Sequence, residues 1–218
     1  MVQSHAQKYR EKYEQGVIRR DHTLSLYNQF LENLGEKQTL EDLVARILVR
    51  KKTVRILDVG CGNGNALAEL KQLFGEKVYT LGIDLIPPDT KENVDEFLEG
   101  DIHEVPIPHE CDLILSFRAL HEMGNLSKLI PKLARSLAHG GRAYLWIRMR
   151  EANEGTPVFV GEMNKDEENA LHALADNREI HGSMMLLQSV EIPIPVTYES
   201  QPRKSVIGGY VVLLHRSI

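Results

Sequence analysis

A carboxylate followed by alternating glycines is the feature of this sequence that most directly suggests chemistry. Asp58 ends an apolar run typical of a buried strand and is followed by Gly60, Gly62 and Gly64. Glycine tolerates positive φ angles and lets the backbone approach a ligand closely. Apolar residues at helical spacing begin after the last glycine, so we expect free N–H groups of a helix N-terminus to face that ligand. A carboxylate here suits a positively charged group, such as an amino-acid ammonium, better than a pyrophosphate.

A second carboxylate, Asp84, ends the next apolar run and lies 20 residues after Gly64. At the carboxyl end of a strand, one carboxylate can accept hydrogen bonds from both hydroxyls of a ribose. The alternative is a carboxylate that caps the following turn. With the glycine turn upstream, ribose binding is the interpretation that we favour.

The segment from Asp58 to Gly64 resembles motif I of the class I S-adenosylmethionine (SAM) dependent methyltransferases. It departs from the dinucleotide-binding fingerprint, whose third glycine would fall at Asn65. The resemblance implies SAM as the cofactor, S-adenosylhomocysteine as its product, and methyl transfer to an O or N nucleophile, most often of a small molecule. The alternative is a glycine turn that serves only strand–helix packing.

The resemblance extends to further residues of the cofactor site. It implies that Asp101 accepts a hydrogen bond from the adenine amino group and that Ile102 packs on the adenine ring. The complete set of predicted cofactor-binding residues is Asp58, Gly60, Cys61, Gly62, Gly64, Asp84, Leu85, Asp101, Ile102, Ser116 and Phe117.

Residues for catalysis and acceptor binding are expected after the fourth and fifth strands and in the N-terminal segment. His121 is the candidate general base, since an unperturbed histidine pKa of about 6.5 is near working pH; alternatively, it caps or packs at a helix start. Arg118 and Arg148 would suit an anionic acceptor if they face the cleft, whereas surface arginines are the commoner case. The predicted substrate-binding residues are Tyr13, His22, Arg118, His121 and Arg148.

The absence of several motifs narrows the range of methyl acceptors to be expected. The Asn-Pro-Pro-Tyr sequence of amino-methylating DNA enzymes and the Pro-Cys pair of cytosine methyltransferases are absent. The fourth strand does not end in the acidic residue of metal-dependent catechol methyltransferases, so we expect no metal. A small-molecule acceptor is favoured and a protein acceptor stays open. Two further functions also stay open: transfer of another group from SAM or a modified SAM, and a non-catalytic SAM-binding module.

Alternating strand and helix patterns predict how these residues are positioned. They indicate an α/β fold with a parallel sheet and helices on both faces. The resemblance implies a doubly wound, Rossmann-like sheet of seven mostly parallel strands with an antiparallel last strand. The predicted strands are 54–59, 77–83, 97–99, 111–117, 142–147, 186–196 and 206–215. A short helix is predicted at 91–97, a longer helix at 125–138, and a further helix from Asn164 or Asp166 to Ala175. The segment 148–161 is predicted to be irregular.

Two or three helices are predicted before the first strand. Residues 1–20 could be a frayed helix or a flexible arm, and Asp21 or Thr23 could cap the next helix. Thr39 and Asp42 form an acidic variant of the capping box for another helix. We therefore divide one compact domain into a helical lid at 1–52 and a SAM-binding region at 53–218.

The composition fits a globular protein of one domain. The chain has 218 residues, with 42% hydrophobic and 26% charged residues. The two cysteines, Cys61 and Cys111, form no disulfide framework, and we expect reduced thiols. No apolar run approaches the roughly 20 residues that span a bilayer, and the N-terminus lacks a signal-peptide core. We expect a cytoplasmic protein that does not bind membranes.

The net charge of −5 argues against a general nucleic-acid binder, because such proteins usually carry a basic footprint. A local cluster of cationic residues nevertheless precedes the first core strand. We interpret this cluster as a solvated face of the protein. It consists of Arg46, Arg50, Lys51, Lys52 and Arg55.

Overall fold

The apolar segments form the strands of a sheet with helices on both sides. The structure is a computed structural model. It describes residues 5–16, 20–33, 36–117, 119–120, 123–151, 157–159, 180–191 and 206–216. The strands are β1 (Val54–Val59), β2 (Val78–Asp84), β3 (Glu96–Glu99), β4 (Cys111–Ser116), β5 (Leu137–Glu151), β6 (Pro157–Phe159), β7 (Ile180–Glu191) and β8 (Val206–Arg216). The helices are α1 (His5–Glu14), α2 (Leu24–Asn33), α3 (Leu40–Leu48), α4 (Asn65–Phe74) and α5 (Leu126–Ser136).

Five strands form the parallel part of the sheet, in the order β3-β2-β1-β4-β5. Every residue of β1 from Ile56 to Val59 is buried, as expected for a strand that is covered on both faces. The predicted α/β fold with a parallel, Rossmann-like sheet is therefore confirmed. Because these strands are parallel, their carboxyl ends meet along one edge of the sheet.

Helices cover the two faces of the sheet. One apolar cluster joins residues of α2, α3 and α4 to one face, and a second joins α5 to the other. Both faces of the central strands are therefore buried in core. In the described part of the chain, no helix has the length and apolar character needed to cross a membrane.

The N-terminal helices form as the capping and apolar patterns predict. The hydroxyl of Thr39 accepts a hydrogen bond from Asp42 N, and the carboxylate of Asp42 accepts one from Thr39 N, so the capping box is present. Leu24, Tyr27 and Phe30 of α2 are buried. Of the two alternatives for residues 1–20, a helix and a flexible arm, the structure shows a helix at residues 5–14.

One prediction for a helix needs correction. Residues 91–97 form only one 3₁₀ turn, Lys91–Asn93, because Glu96 already pairs with Leu81 of β2 and begins β3.

Pro131 lies in the second turn of α5. The helix continues through this proline because its apolar face is buried against the sheet, which offsets the lost backbone hydrogen bond.

The fifth strand is longer than the predicted 142–147. It begins at Leu137, and the register against β4 shifts between Cys111 and Leu113, around Gly140 and Gly141. Its far end extends to Glu151, because it pairs with β8 along 142–148 and with β6 along 149–151. Residues 148–151 and 157–159 are therefore strand rather than irregular structure.

The remaining strands continue the sheet beyond β5. β8 runs antiparallel to β5, and β7 runs antiparallel to β8 at the edge. β7 starts six residues before the predicted position. The predicted helix from Asn164 or Asp166 lies outside the described residues. Since 160–179 and 192–205 are not described, the count of seven strands with an antiparallel last strand stays a prediction.

Candidate cofactor site

One cleft lies at the carboxyl ends of the parallel strands. It spans about 460 Å³ of space, part of which is open to solvent. Five residues predicted from separate segments line it together: Gly60, Asp84, Leu85, Asp101 and Ile102. Further lining residues that were not among the predicted site residues are Tyr9, Ile83, Gly100, Ala119 and Met123.

Asp84 is held rigidly at the end of β2. Its Oδ2 accepts a hydrogen bond from Gly62 N at 2.9 Å and its Oδ1 accepts one from Ile86 N at 3.2 Å. Each oxygen keeps lone-pair capacity for a further donor, such as a hydroxyl of a ribose. Burial raises the pKa of this carboxyl group, and the nearby Arg20 guanidinium and the backbone donors oppose that rise.

Asp101 and Ile102 border the cleft after β3. Oδ1 of Asp101 accepts a hydrogen bond from His103 N at 2.9 Å, while Ile102 is buried. Nε2 of His103 lies 3.0 Å from the carbonyl oxygen of Met123, a cleft residue of the loop after β4. The Lys132 ammonium also donates to the carbonyl oxygen of Ile102 at 2.8 Å. The two loops that border the cleft are therefore tied together.

Asp58 is buried and linked to α2. The hydroxyl of Tyr27 donates a hydrogen bond to Oδ2 of Asp58, and Oδ1 of Asp58 has no partner among the described residues. Burial raises the pKa of the Asp58 carboxyl group to about 7, although the hydrogen bond from Tyr27 lowers it. An unpaired oxygen on a buried carboxyl group is compatible with a positively charged ligand group.

The glycine turn is shaped by close contact with two other segments. Gly60 and Gly62 have φ angles of +76° and +58°. A Cβ on Gly62 would lie 2.5 Å from the carbonyl oxygen of Arg20, and one on Gly60 would lie 2.2 Å from Cβ of Ala119. Neither position has room for a larger residue, so the two glycines are required by packing as well as by conformation.

The N-terminal segment occupies part of the helix start. Asn63 N donates to the carbonyl oxygen of Arg20 at 2.9 Å, and Ala66 N donates to that of His22 at 3.1 Å. These two N–H groups are therefore bound within the chain. Residues 20–22 thus cover this part of the turn, and contact of the other N–H groups of the helix start with a ligand stays a prediction.

Arg20 ties the N-terminal segment to the glycine turn and to the loop after β2. This buried guanidinium donates to the carbonyl oxygens of Gly62 at 3.1 Å and Pro87 at 3.0 Å, and to that of Ile86. The Tyr13 ring lies over it, with 5.2 Å from ring centroid to Cζ. Arg20 is not among the site residues that the sequence predicts.

An amide network extends this connection. The side-chain nitrogen Nδ2 of Asn63 donates to Asp21 Oδ1 at 2.7 Å and to Asp89 Oδ2 at 2.9 Å. The side-chain nitrogen Nδ2 of Asn93 donates to the backbone carbonyl oxygen of Asn63 at 2.7 Å. The loop after β2 and the N-terminal segment are thereby fixed to the same residue of the glycine turn.

Several predicted cofactor residues lie beneath the cleft surface. Cys61 is buried, and burial raises the pKa of its thiol well above the ordinary value. The hydroxyl of Ser116 donates to the carbonyl oxygen of Val59 at 2.8 Å. Phe117 is buried against Tyr27, with ring centroids 4.8 Å apart. Direct contact of these residues, and of Gly64, with a cofactor stays a prediction.

The predicted substrate residues are described only in part. Tyr13 contacts Arg20, and the His22 ring lies 6.5 Å from that of Tyr27. Arg148 belongs to β5, opposite Gly209 of β8, and the role of its side chain stays a prediction. Arg118 and His121 lie outside the described residues. Among the residues that the structure describes, no group of three or more metal-ligating side chains is found, and the expected absence of a metal stays a prediction.

Comparison with known proteins agrees with this geometry. Residues 57–145 match the family described as a methyltransferase domain. This match covers the part of the chain that carries Asp58, the glycine turn, Asp84 and Asp101, and it makes this segment similar to methyltransferase domains.

Individual relatives match part of their length. The chain is 30% identical over 119 residues to a trans-aconitate 2-methyltransferase of Methylobacterium nodulans, covering 52% of this chain and 45% of the relative. It is 28% identical over 92 residues to ribosomal RNA large subunit methyltransferase E of Desulfatibacillum aliphaticivorans, covering 39% and 44%. The chain thus spans less than half the length of these curated relatives.

A solved structure supports the fold. It is phosphoethanolamine N-methyltransferase 2 of Haemonchus contortus, in complex with phosphomonomethylethanolamine and S-adenosylhomocysteine. The TM-score is 0.56 at 14% identity, covering 99% of this chain and 60% of that chain. At this identity the likeness shows the fold alone.

Proposed function

We propose that this chain transfers a methyl group from SAM to an O or N nucleophile of a small molecule. One observation carries the proposal: carboxylates from two separate motifs, Asp84 and Asp101, line the same cleft beside Gly60. A bound SAM supplies a methyl group already activated by a positively charged sulfur. The protein then needs mainly to position the acceptor and exclude water.

Each carboxylate has a proposed binding role. Asp84 accepts hydrogen bonds from the ribose hydroxyls with the lone pairs that its backbone donors leave free. Asp101 accepts from the adenine amino group, while Ile102 packs on the ring. Asp58, with its unpaired Oδ1, compensates the charge of the ammonium group of SAM. We further propose that residues 1–52 form the lid of this site, because Tyr9 lines the cleft.

The acceptor is proposed to be a small anion. Arg118 follows β4 and Arg148 lies in β5, both near the carboxyl ends where this fold places its ligands. A guanidinium binds carboxylate or phosphate through two parallel hydrogen bonds. The relative that acts on trans-aconitate supports such an acceptor, whereas the relative that acts on ribosomal RNA supports a different one. His121 is the proposed general base.

Calorimetric titration with SAM and S-adenosylhomocysteine tests the cofactor role. We expect micromolar binding of both by the wild type and at least about a tenfold loss in Asp84→Ala, because two ribose hydrogen bonds disappear. Glu104→Ala is the matched control, since Glu104 is exposed and outside the cleft lining. Absence of binding by the folded wild type would contradict the proposal.

Mass spectrometry of a trapped acceptor tests the reaction. Incubation with SAM and a panel of small carboxylates, phosphates, amines and phenols should give a product heavier by one methyl group. A larger added group would instead favour transfer of another group from SAM or a modified SAM, and cofactor binding without any product would favour a binding module. His121→Gln should lower the rate of product formation without lowering SAM affinity.

A further inference from the structure

A second cavity lies at the opposite edge of the sheet from the cofactor cleft. It spans about 900 Å³ of space, part of which is open to solvent, between the end of α3 and the starts of β4 and β5. Four cationic side chains line it: Arg46, Arg50, Lys51 and Arg142. We call this cavity the basic groove, defined by these four residues. Its charge is opposite in sign to the net charge of −5 of the chain.

The floor of the basic groove is apolar. Leu43, Ile47 and Leu113 line it, and Leu43 and Leu113 are buried parts of the hydrophobic core. Leu43 and Leu113 are only 3% and 1% exposed, so the apolar surface that the cationic groups surround is small and consists mainly of the half-buried Ile47. A ligand with only charged groups would leave that surface exposed, whereas one that also carries apolar groups would cover it.

Acidic partners within the chain neutralise only part of the groove. Lys51 forms an ion pair with Asp112, and Arg142 lies 3.9 Å from a carboxylate oxygen of Glu36. Arg46 donates to Gln38, which carries no charge. In the described ranges, Arg50 is exposed and has no acidic partner. The groove thus keeps positive charge for a ligand from outside.

The cationic surface continues past the groove. A neighbouring shallow depression shares Arg50 and Lys51 with it and adds Lys52 and Lys77. Val49 in this depression is 84% exposed, one of only three large hydrophobic residues that the described part of the chain leaves exposed. The combined surface carries six cationic side chains, and five of them are exposed rather than buried around a single anion.

The location separates this surface from the reaction. Lys51 precedes β1 and Lys77 precedes β2, whereas Gly60 and Asp84 of the cleft lie at the other ends of these strands. Six-residue strands are about 20 Å long, so a bound chain at the amino edge leaves the cleft open. An RNA bound there would also hold its contacted nucleotides about 20 Å from the cofactor, out of reach of methyl transfer.

We propose that the basic groove docks an acidic segment of a partner protein, with apolar side chains between its carboxylates. The carboxylates pair with the arginines and lysines, and the apolar side chains cover the floor and Val49. Charge complementarity and the apolar floor together favour a polypeptide over RNA, whose backbone would contact only the cations. The partner binds without blocking the cofactor cleft.

Selection of short random peptides displayed on phage against the immobilised full chain tests the proposal. Counter-selection uses the variant Arg46→Glu/Arg50→Glu. Enriched peptides should combine Asp or Glu with Leu, Ile or Phe. One synthetic peptide from the selection is then measured by fluorescence anisotropy, together with a labelled oligouridylate as the RNA probe. We expect at least about a tenfold loss of peptide affinity in Arg46→Glu/Arg50→Glu, and a loss of affinity as salt rises.

Lys128→Glu/Arg135→Glu is the matched control, because it changes the charge equally at exposed positions of α5 outside the groove. It should bind the peptide like the wild type. Arg46→Gln/Arg50→Gln should give an intermediate loss, and circular dichroism checks that each variant is folded. Enrichment without acidic bias, equal losses in both charge reversals, or tighter binding of oligouridylate than of the peptide would each overturn the proposal.

Discussion

The hydroxyl of Tyr27 donates a hydrogen bond of 2.6 Å to Oδ2 of Asp58, which joins α2 to the end of β1 inside the core. The other oxygen of Asp58 has no partner among the described residues. One side of this carboxyl group is thus fixed by the N-terminal segment, and the other can receive a proton or a ligand donor. The hydrogen bond from Tyr27 lowers the pKa of Asp58, against the larger rise that burial causes.

Replacing Tyr27 with Phe should destabilise the protein and raise the pKa of Asp58 above its value of about 7. The variant removes the hydrogen bond but keeps the aromatic ring beside Phe117. Loss of a hydrogen bond to a buried carboxyl group costs about 1–3 kcal/mol. Urea unfolding at pH 8 measures this loss, and titration with S-adenosylhomocysteine from pH 6 to pH 9 measures the shift in protonation.

Tyr144→Phe provides the control for Tyr27→Phe. Tyr144 is a buried residue whose hydroxyl donates to the half-buried Glu36 at 3.0 Å, away from the cleft. This variant should lose a comparable amount of stability while the pH dependence of cofactor binding stays that of the wild type. If both variants show the same pH dependence, Tyr27 has a structural role only.

The stability of the protein should fall as pH rises from about 4 to about 7. Over this window Asp58 stays protonated in the folded state but is ionised in the unfolded state, so the folded state binds more protons. The shift from 3.8 to about 7 corresponds to about 4 kcal/mol, fully lost above pH 7. The raised pKa of Asp84 adds a contribution of the same sign.

Denaturant unfolding across this pH range, with Asp58→Asn beside the wild type, checks the assignment. The amide oxygen of the introduced asparagine can still accept from Tyr27, but the amide does not titrate. The variant should therefore lose most of the slope, and it should be more stable than the wild type above pH 7. An unchanged slope in the variant would assign the pH dependence to other groups.

The sequence alone was enough to predict the residues whose positions depend on local chain geometry. Gly60 and Gly62 follow a buried strand and need positive φ, and Asp84 and Asp101 follow the next two strands. Because parallel strands end along one edge, their relative positions follow from the order of the elements. The parallel sheet and the cleft could therefore be predicted without knowledge of any side-chain contact.

Long-range contacts explain what could not be predicted. Arg20 lies 42 residues from Gly62 and 66 from Ile86, yet donates to both carbonyl oxygens. No periodicity or motif indicates a buried arginine that binds backbone oxygens. The place of Tyr9 in the cleft lining depends on how the N-terminal segment folds back, which no local pattern determines. The short 3₁₀ turn at 91–93 differs from the predicted helix because strand pairing of Glu96 overrides the helical pattern.

Gly62→Ala should destabilise the protein more than Gly75→Ala. Both glycines have a φ of +58°, and Gly75 also has a ψ of −142°, so each variant incurs about 1–3 kcal/mol of backbone strain. A Cβ on Gly62 would also lie 2.5 Å from the carbonyl oxygen of Arg20, whereas one on Gly75 meets nothing within 4 Å. The difference in unfolding free energy between the two variants measures the close approach of the N-terminal segment. Equal destabilisation would show that this segment gives way without cost.

Arg20→Lys should loosen the N-terminal segment while keeping its charge. The guanidinium binds three carbonyl oxygens in a fork that a single ammonium cannot reproduce. We expect faster hydrogen exchange in α1 and in residues 85–89, measured by mass spectrometry, and about tenfold weaker SAM binding because the Tyr9 side of the cleft moves. Arg10→Lys is the control, since Arg10 is exposed and lies 4.0 Å from Glu99.

A comparison of Arg20→Met with Arg20→Lys separates the effect of the three hydrogen bonds of Arg20 from the effect of its charge. The guanidinium opposes the rise that burial causes in the pKa of Asp84, so loss of the charge should raise that pKa further. SAM binding by Arg20→Met should therefore weaken more at an acidic than at an alkaline pH, because a protonated Asp84 accepts fewer hydrogen bonds from a ribose. Arg20→Lys should weaken binding equally at both pH values. If the two variants share one pH profile, the guanidinium acts on the cleft only through the position of the N-terminal segment and not through the charge of Asp84.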